Sequence, residues 1–206
     1  SKDTEYLVKK AAKVIADNIK KITKKNAKII FVCGKGNNGL DGIYASKLLS
    51  DLNFDINIFL TEANHHQSEI NILSLENKIC TNVSFEKYDI VVDCIFGYGI
   101  NKPLSLEVQS LVDKINKAEV IVISIDIPSG LHPQTGNKCP VSISCDYLIT
   151  FINIKRGLFT NLGRDTWKNI YFDPLIQEDI ESCNYLISAN NMYKFTNTNT
   201  AFKDLK

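Results

Sequence analysis

What this chain has little of narrows it first. Its formal net charge is only +1, so nothing in the overall balance demands a nucleic-acid partner or an acidic one. No apolar run reaches the length of a membrane span, which removes a transmembrane helix from consideration. The six cysteines, Cys33, Cys80, Cys94, Cys139, Cys145 and Cys183, form no CxxC pair, and three of them sit in or beside apolar runs. That usage predicts reduced thiols in an intracellular protein, cytoplasmic or mitochondrial, and speaks against a disulfide framework or a zinc site. The chain opens on Ser rather than Met, so a targeting segment ahead of it is compatible with the reading. The three histidines lack the i, i+4 spacing that aims two rings at one metal. His65, His66 and His132 are therefore expected at the surface. No internal repeat and no linker is visible.

What is present suffices for one domain. With 206 residues, 44% of them hydrophobic, the chain can bury one core and is short for two; residues 1–206 are expected to fold together. Charge is unevenly spread, because Ser1 to Lys28 carries nine lysines against three acids. Leu7, Val8, Ala11, Ala12, Ile15, Ile19 and Ile22 recur there at helical spacing, with the lysines mostly between them. This predicts a basic amphipathic helix over residues 1–27 with its charges turned outward. A phosphate- or membrane-binding arm is the alternative.

Beyond that helix, short apolar runs alternate with helical segments. Strands are expected at Lys28–Cys33, Phe54–Leu60, Ile90–Cys94, Val120–Ile125 and Tyr147–Phe151. Helices are expected around Ile43–Leu49, Glu69–Glu76 and Leu104–Asn116. Strands alternating with crossover helices predict an α/β fold with a mostly parallel sheet covered by helices on both faces. The unbroken apolarity of "DIVVDCIF" and "EVIVISIDI" agrees, since strands buried on both faces lose polar alternation. The tail, residues 184–206, is polar; it caps the sheet or frays.

In such a sheet ligands bind beyond the carboxyl ends of the strands, and three loops there stand out. In "VCGKGNNGLDG", Gly34, Gly36 and Gly39 fit GxGxxG, which suits a dinucleotide phosphate at a helix N-terminus. It is not a Walker loop, because Leu40 and Asp41 stand where Lys and Ser/Thr are required. Gly-Asn-Asn-Gly is equally good turn chemistry. The second loop follows Asp93, an acid at the end of an apolar strand that needs a cation, a donor or water; helix capping would also satisfy it. The third, "SIDIPSGLHPQTG", again ends a strand on an acid, Asp126, followed by Pro128, Ser129 and Gly130, and as punctuation it reads as a simple turn.

Together, "VCGKGNNGLDG", "VVDCIFGYGINKPL", "SIDIPSGLHPQTG" and "DYLITFINIKRGLF" resemble, in order and spacing, the NAD(P)H-hydrate epimerase family, the YjeF N-terminal domain. The resemblance runs from about Glu5 to Asp173. It implies a Rossmann-like three-layer fold, a homodimer, and interconversion of the R and S forms of hydrated NADH or NADPH, with a separate dehydratase in the same repair pathway. Carried over by position, Asn37, Asn38, Gly39, Leu40 and Asp41 line the substrate site. Gly97, Tyr98, Gly99, Ile100, Asn101, Lys102 and Pro103 contact substrate. Asn38, Asp93 and Ser129 hold one potassium ion per subunit, oxygen ligands suited to a hard cation. Asp126 faces the substrate as the acid/base residue, and Lys155 holds phosphate or orders the pocket.

This chain departs from the family pattern at Leu40, where a second glycine is usual, at "INKPLS", and at "VKKAA" in the first helix. Two other classes remain open: a non-catalytic scaffold, and a nicotinamide-dependent dehydrogenase in which Glu62 binds ribose.

Overall fold

The computed structural model describes residues 2–63, 65–100, 102–175 and 193–196. The first helix, α1 (Lys2–Ile22), is followed by β1 (Lys28–Cys33), α2 (Asn37–Asp51), β2 (Asp55–Leu60), α3 (Gln67–Ile72), β3 (Ile79–Cys80), β4 (Ile90–Cys94), α4 (Leu106–Lys117), β5 (Ile121–Ile125), β6 (Cys145–Phe151), β7 (Trp167–Asp173) and β8 (Tyr193–Thr196). Sheet order is β3-β2-β1-β4-β5-β6-β7-β8. Every neighbouring pair from β3 to β7 is parallel, and only β8 runs antiparallel, against β7.

The strand residues explain why both faces are covered. Along β1, Ile29, Phe31 and Cys33 point into one core with α1, α2 and Ile70 of α3, while Ile30 and Val32 point into a second core with Val112 and Ile115 of α4. Period-two side-chain alternation thus feeds two hydrophobic layers from one apolar run. In α1 the buried stripe is Val8, Ala11, Ala12, Ile15, Ala16 and Ile19. Its lysines lie outside that stripe and several pair locally, Lys9 with Glu5, and Lys13 and Lys20 with Asp17. The N-terminus of α4 is capped by Ser105, whose Oγ accepts from the Val108 amide, and Lys114 and Lys117 sit in its last turn.

From β1 the chain builds outward through β2 and β3. It then returns to β4 on the other side of β1 and builds the opposite way. The crevice at this reversal, beyond the carboxyl ends of β1 and β4, is where an open α/β sheet accepts ligands.

Several expectations shift. The helix expected over Glu69–Glu76 is α3, ended by Ser74 in the left-handed region at φ 54° and followed by a 3-10 turn over Glu76–Lys78. β3 has only two residues, too few to show a pattern. β7 was not expected, because of "WKNIYFD" only Trp167 and Ile170 are buried, so its apolar signal is diluted. α1 stops at Ile22, short of residue 27. Of the 184–206 tail, residues 193–196 form β8; the rest of the tail, with Cys183, lies outside the described residues. Cys33, Cys94 and Cys145 are buried free thiols and Cys80 and Cys139 half-buried ones. Burial pushes the Cys145 thiol up to about 12.

Candidate active site

A cavity of about 680 Å³ opens at the crevice. One wall is α1, through Leu7, Val8 and Ala11. A second is Lys35 and Gly36 with Asn37, Asn38 and Asp41 of α2. A third is the chain from Ile95 to Ile100, and Asp126, Phe151, Ile152 and Leu175 complete the lining. The glycines of the first loop serve packing more than ligand approach. A Cβ on Gly34 would lie 2.0 Å from the Ile95 carbonyl oxygen, and one on Gly39 would lie 1.8 Å from the Gly34 carbonyl oxygen. Bare backbone at these two positions lets the β1 and β4 loops and the start of α2 close on one another. Gly36 is different: nothing lies within 4 Å of its missing side chain, and it is the residue ahead of α2, whose N-terminus carries no side-chain cap. Unpaired amides at that end are free to meet an anion.

Asp93, at the end of β4, is completely buried. Its Oδ2 accepts from Ser124 Oγ at 2.8 Å and the Ser129 amide at 2.9 Å; its Oδ1 accepts from Ser129 Oγ at 2.5 Å and the Ile95 amide at 3.2 Å. Four donors match the roughly four lone-pair positions of a carboxylate. Burial raises its pKa and these hydrogen bonds oppose the rise, with burial the stronger. Ser129 Oγ also accepts from the Phe96 amide at 2.9 Å. Asp93 and Ser129 together thus pin the β4 and β5 loops.

Asp126 ends β5 quite differently. Its backbone is left-handed, φ 68°, a sparsely populated state outside glycine that surrounding structure must hold in place. Its amide donates to the Ile149 carbonyl at 2.7 Å. The carboxylate points toward the cavity, where Oδ2 accepts from the Tyr98 amide at 3.0 Å and Oδ1 is ion-paired to Lys155. Lys155, almost buried, also donates to Thr150 Oγ1 at 3.0 Å and the Phe151 carbonyl at 2.9 Å. All three ammonium protons are used, so this lysine positions Asp126 and has no donor left for a phosphate.

Asn38 is buried, and its Nδ2 donates to the carbonyls of Phe96 at 2.9 Å and Ile125 at 3.2 Å. Two carbonyl acceptors fix which end of the amide is nitrogen. The Oδ1 is then a buried acceptor with no protein partner, a costly state for a native polar group. Asp41, one turn further along α2, is half-buried. Burial, and secondly the charge of Asp126, pushes its carboxyl up to about 8.

A family model described as "YjeF-related protein N-terminus" matches residues 4–157. The chain belongs to the YjeF N-terminal family. It is 33% identical over 155 residues to the bifunctional NAD(P)H-hydrate repair enzyme Nnr of Thermofilum pendens, covering 68% of this chain and 30% of that one. It is 29% identical over 147 residues to the NAD(P)H-hydrate epimerase of Weissella koreensis, covering 66% of this chain and 65% of that one. The chain therefore spans about a third of the first relative and about two thirds of the second. The crystal structure of the yeast protein ynu0 superposes with a TM-score of 0.68 at 17% identity, covering 82% of this chain and 78% of that one, which is a likeness of fold.

In this YjeF N-terminal chain Asn37, Asn38, Asp41, Gly97, Tyr98, Gly99, Ile100 and Asp126 share one cavity. Gly39, Leu40, Lys102 and Pro103 are absent from its lining, and Asn101 lies outside the described residues. Gly39 packs on Gly34, and Leu40 sits half-buried on α2. Asp93 and Ser129 stand behind the cavity wall and do not line it. The α1 contribution escapes one-dimensional reading, because Leu7, Val8 and Ala11 belong to the same apolar stripe as the core residues. The histidines are half-buried rather than fully at the surface. His66, at φ 56°, places Nε2 3.1 Å from the Gly34 carbonyl, and His132 Nδ1 accepts from the amides of Gln134 and Thr135 at 3.3 Å. Backbone groups of neighbouring turns supply these partners, which spacing alone does not show. Glu62, the candidate ribose ligand, is held by Lys35 and His65, each at 3.1 Å.

Proposed function

We propose that this chain interconverts the R and S forms of hydrated NADH or NADPH, in step with a dehydratase of the same pathway. The observation that carries the reading is Asp126. It is a carboxylate in a strained backbone, ion-paired to a nearly buried lysine and turned toward a cavity at the topological switch point. The relatives' names supply the substrate, and the cavity volume lies in the range of sites for small molecules. The open α2 N-terminus at Gly36 and the neighbouring Lys35 suit the phosphates of a nucleotide. Epimerisation exchanges the hydroxyl between two faces of one ring carbon, which needs only proton handling. Asp126 is the acid/base group, and Lys155 with the Tyr98 amide holds it in place.

Potassium, one ion per subunit, belongs to the same proposal. The unpartnered Oδ1 of Asn38 fits a hard cation and neighbouring backbone carbonyls are further oxygen donors; Ser129 Oγ keeps one lone pair, whereas Asp93, its four positions taken, would join only by giving up one of its hydrogen bonds. When bound, the ion supplies a fixed positive charge beside the site. Its binding is checked by melting the protein in KCl and NaCl at equal ionic strength. Specific stabilisation by K⁺, absent in Asn38→Ala, supports it, and equal melting in both salts refutes it. A homodimer is part of the reading and is checked by sedimentation.

The activity test supplies mixed hydrate epimers to a dehydratase that consumes only the S form. Adding this protein is expected to let the R form disappear at a rate set by its concentration. An R-form residue as persistent with the protein as without it refutes the reading.

A further inference from the structure

We propose that Asp41 is a second catalytic carboxyl of this cavity, sharing with Asp126 the two proton transfers of the epimerisation. This rests on the epimerase reading above.

Moving a hydroxyl between the faces of a ring carbon requires a proton given to the departing oxygen on one side and a proton taken from the incoming water on the other. A carboxyl fixed beside one face serves only one of these transfers well. The cavity holds two carboxyls on different elements, Asp126 at the end of β5 and Asp41 in α2. Their surroundings differ in the sense the chemistry needs. Asp126 is ion-paired to Lys155 and accepts from the Tyr98 amide. Asp41 receives no hydrogen bond and no ion pair from the described residues, and its proton is held to about pH 8 by burial and by the Asp126 charge. Lys35 stands in the loop ahead of α2, the thiols of Cys33 and Cys94 lie against Gly42 next to Asp41, and α1 and the end of β6 present Leu7, Val8, Ala11, Phe151 and Ile152. Asp126, held by Lys155 and the Tyr98 amide, is placed to take a proton, and Asp41, free of such partners, to give one.

The step balances without any further reagent. The Asp41 O–H bond breaks and its proton joins the hydroxyl oxygen. The C–O bond then breaks, its electron pair leaving with water, while the ring nitrogen's lone pair forms C=N⁺. Water adds to that carbon from the other face as the C=N π pair returns to nitrogen, and its proton passes to Asp126. Solvent returns a proton from Asp126 to Asp41, and the opposite conversion runs the same path with the roles exchanged.

The test follows the hydroxyl oxygen in H₂¹⁸O, separating the epimers by chromatography and weighing each. Wild type is expected to interconvert them with label entering both. Folded Asp41→Asn, or Asp41→Ser should the first not fold, is expected to invert ~10²- to 10⁴-fold more slowly. It still exchanges label, without inversion, into the one epimer whose hydroxyl Asp126 faces. Asp126→Asn is expected to retain exchange into the other epimer only. Inversion at the wild-type rate in either Asp41 variant overturns the proposal. So does loss of exchange from both epimers in a folded Asp41 variant, which makes Asp41 a positioning residue. A wild-type protein that interconverts nothing overturns the epimerase reading instead.

Discussion

β4 and β5 are neighbours, and each ends on an aspartate, yet the two carboxylates are put to opposite uses. Asp93 is sealed from solvent and saturated by two seryl hydroxyls and two amides. Asp126 sits one strand over in a left-handed backbone, with a lysine on one oxygen and the cavity before it. A strand-end acid in an apolar run therefore has no single meaning. Neutral donors around a fully buried carboxylate lock loops together, whereas a charged partner at a cavity's edge leaves the carboxylate available for chemistry.

Substitutions at the two carboxylates and their partners test that contrast. The largest effect is expected at Asp126. Asp126→Asn should lower the epimerisation rate by ~10²- to 10⁴-fold while thermal melting stays close to wild type; a rate within a factor of two refutes the acid/base role. Asp93→Ala should instead act on the fold, stranding four buried donors and reducing stability by about 2–5 kcal/mol. Urea denaturation measures this, and an unshifted midpoint would contradict the locking role. Lys155→Met should fall between them: Asp126 remains but loses its anchor, and kcat is expected to drop about 10²-fold with KM little changed.

A further effect is a slope in stability with pH. In the folded protein Asp41 keeps its proton up to about 8, against an ordinary value of 3.8. Between those values the folded state binds more protons than the unfolded one, so stability falls as pH rises through this window and levels off above it. Asp41→Asn should flatten that slope in melting curves taken from pH 5 to 8. An unchanged slope would contradict the assignment.

Much of this was legible in one dimension. β1, β4 and β5 read directly from unbroken apolar runs, and the crevice followed from their alternation with helices. Asn38, Asp41 and Asp126 were expected at the site and line its cavity, and Asp93 and Ser129 stand just behind it. What escaped depends on partners far apart in the chain. That Asp93 would accept from Ser124, and directly from the Ser129 expected beside it around an ion, or that Lys155 would spend its three donors on Asp126, Thr150 and Phe151, follows only once β4, β5 and β6 lie side by side. The glycine fingerprint was ambiguous for a related reason. Gly34 and Gly39 are small because loops cross there, and a one-dimensional pattern cannot separate packing from phosphate approach. β7 and the α1 wall of the cavity stayed hidden because their residues carry a half-buried or ordinary core pattern.

The most direct test of the central claim measures epimer interconversion and urea stability side by side in Asp93→Asn and Asp126→Asn. Asp126→Asn is expected to lose turnover and keep its denaturation midpoint, and Asp93→Asn to lose stability first. The reverse assignment, an active Asp126→Asn beside a fully stable and inactive Asp93→Asn, would contradict it.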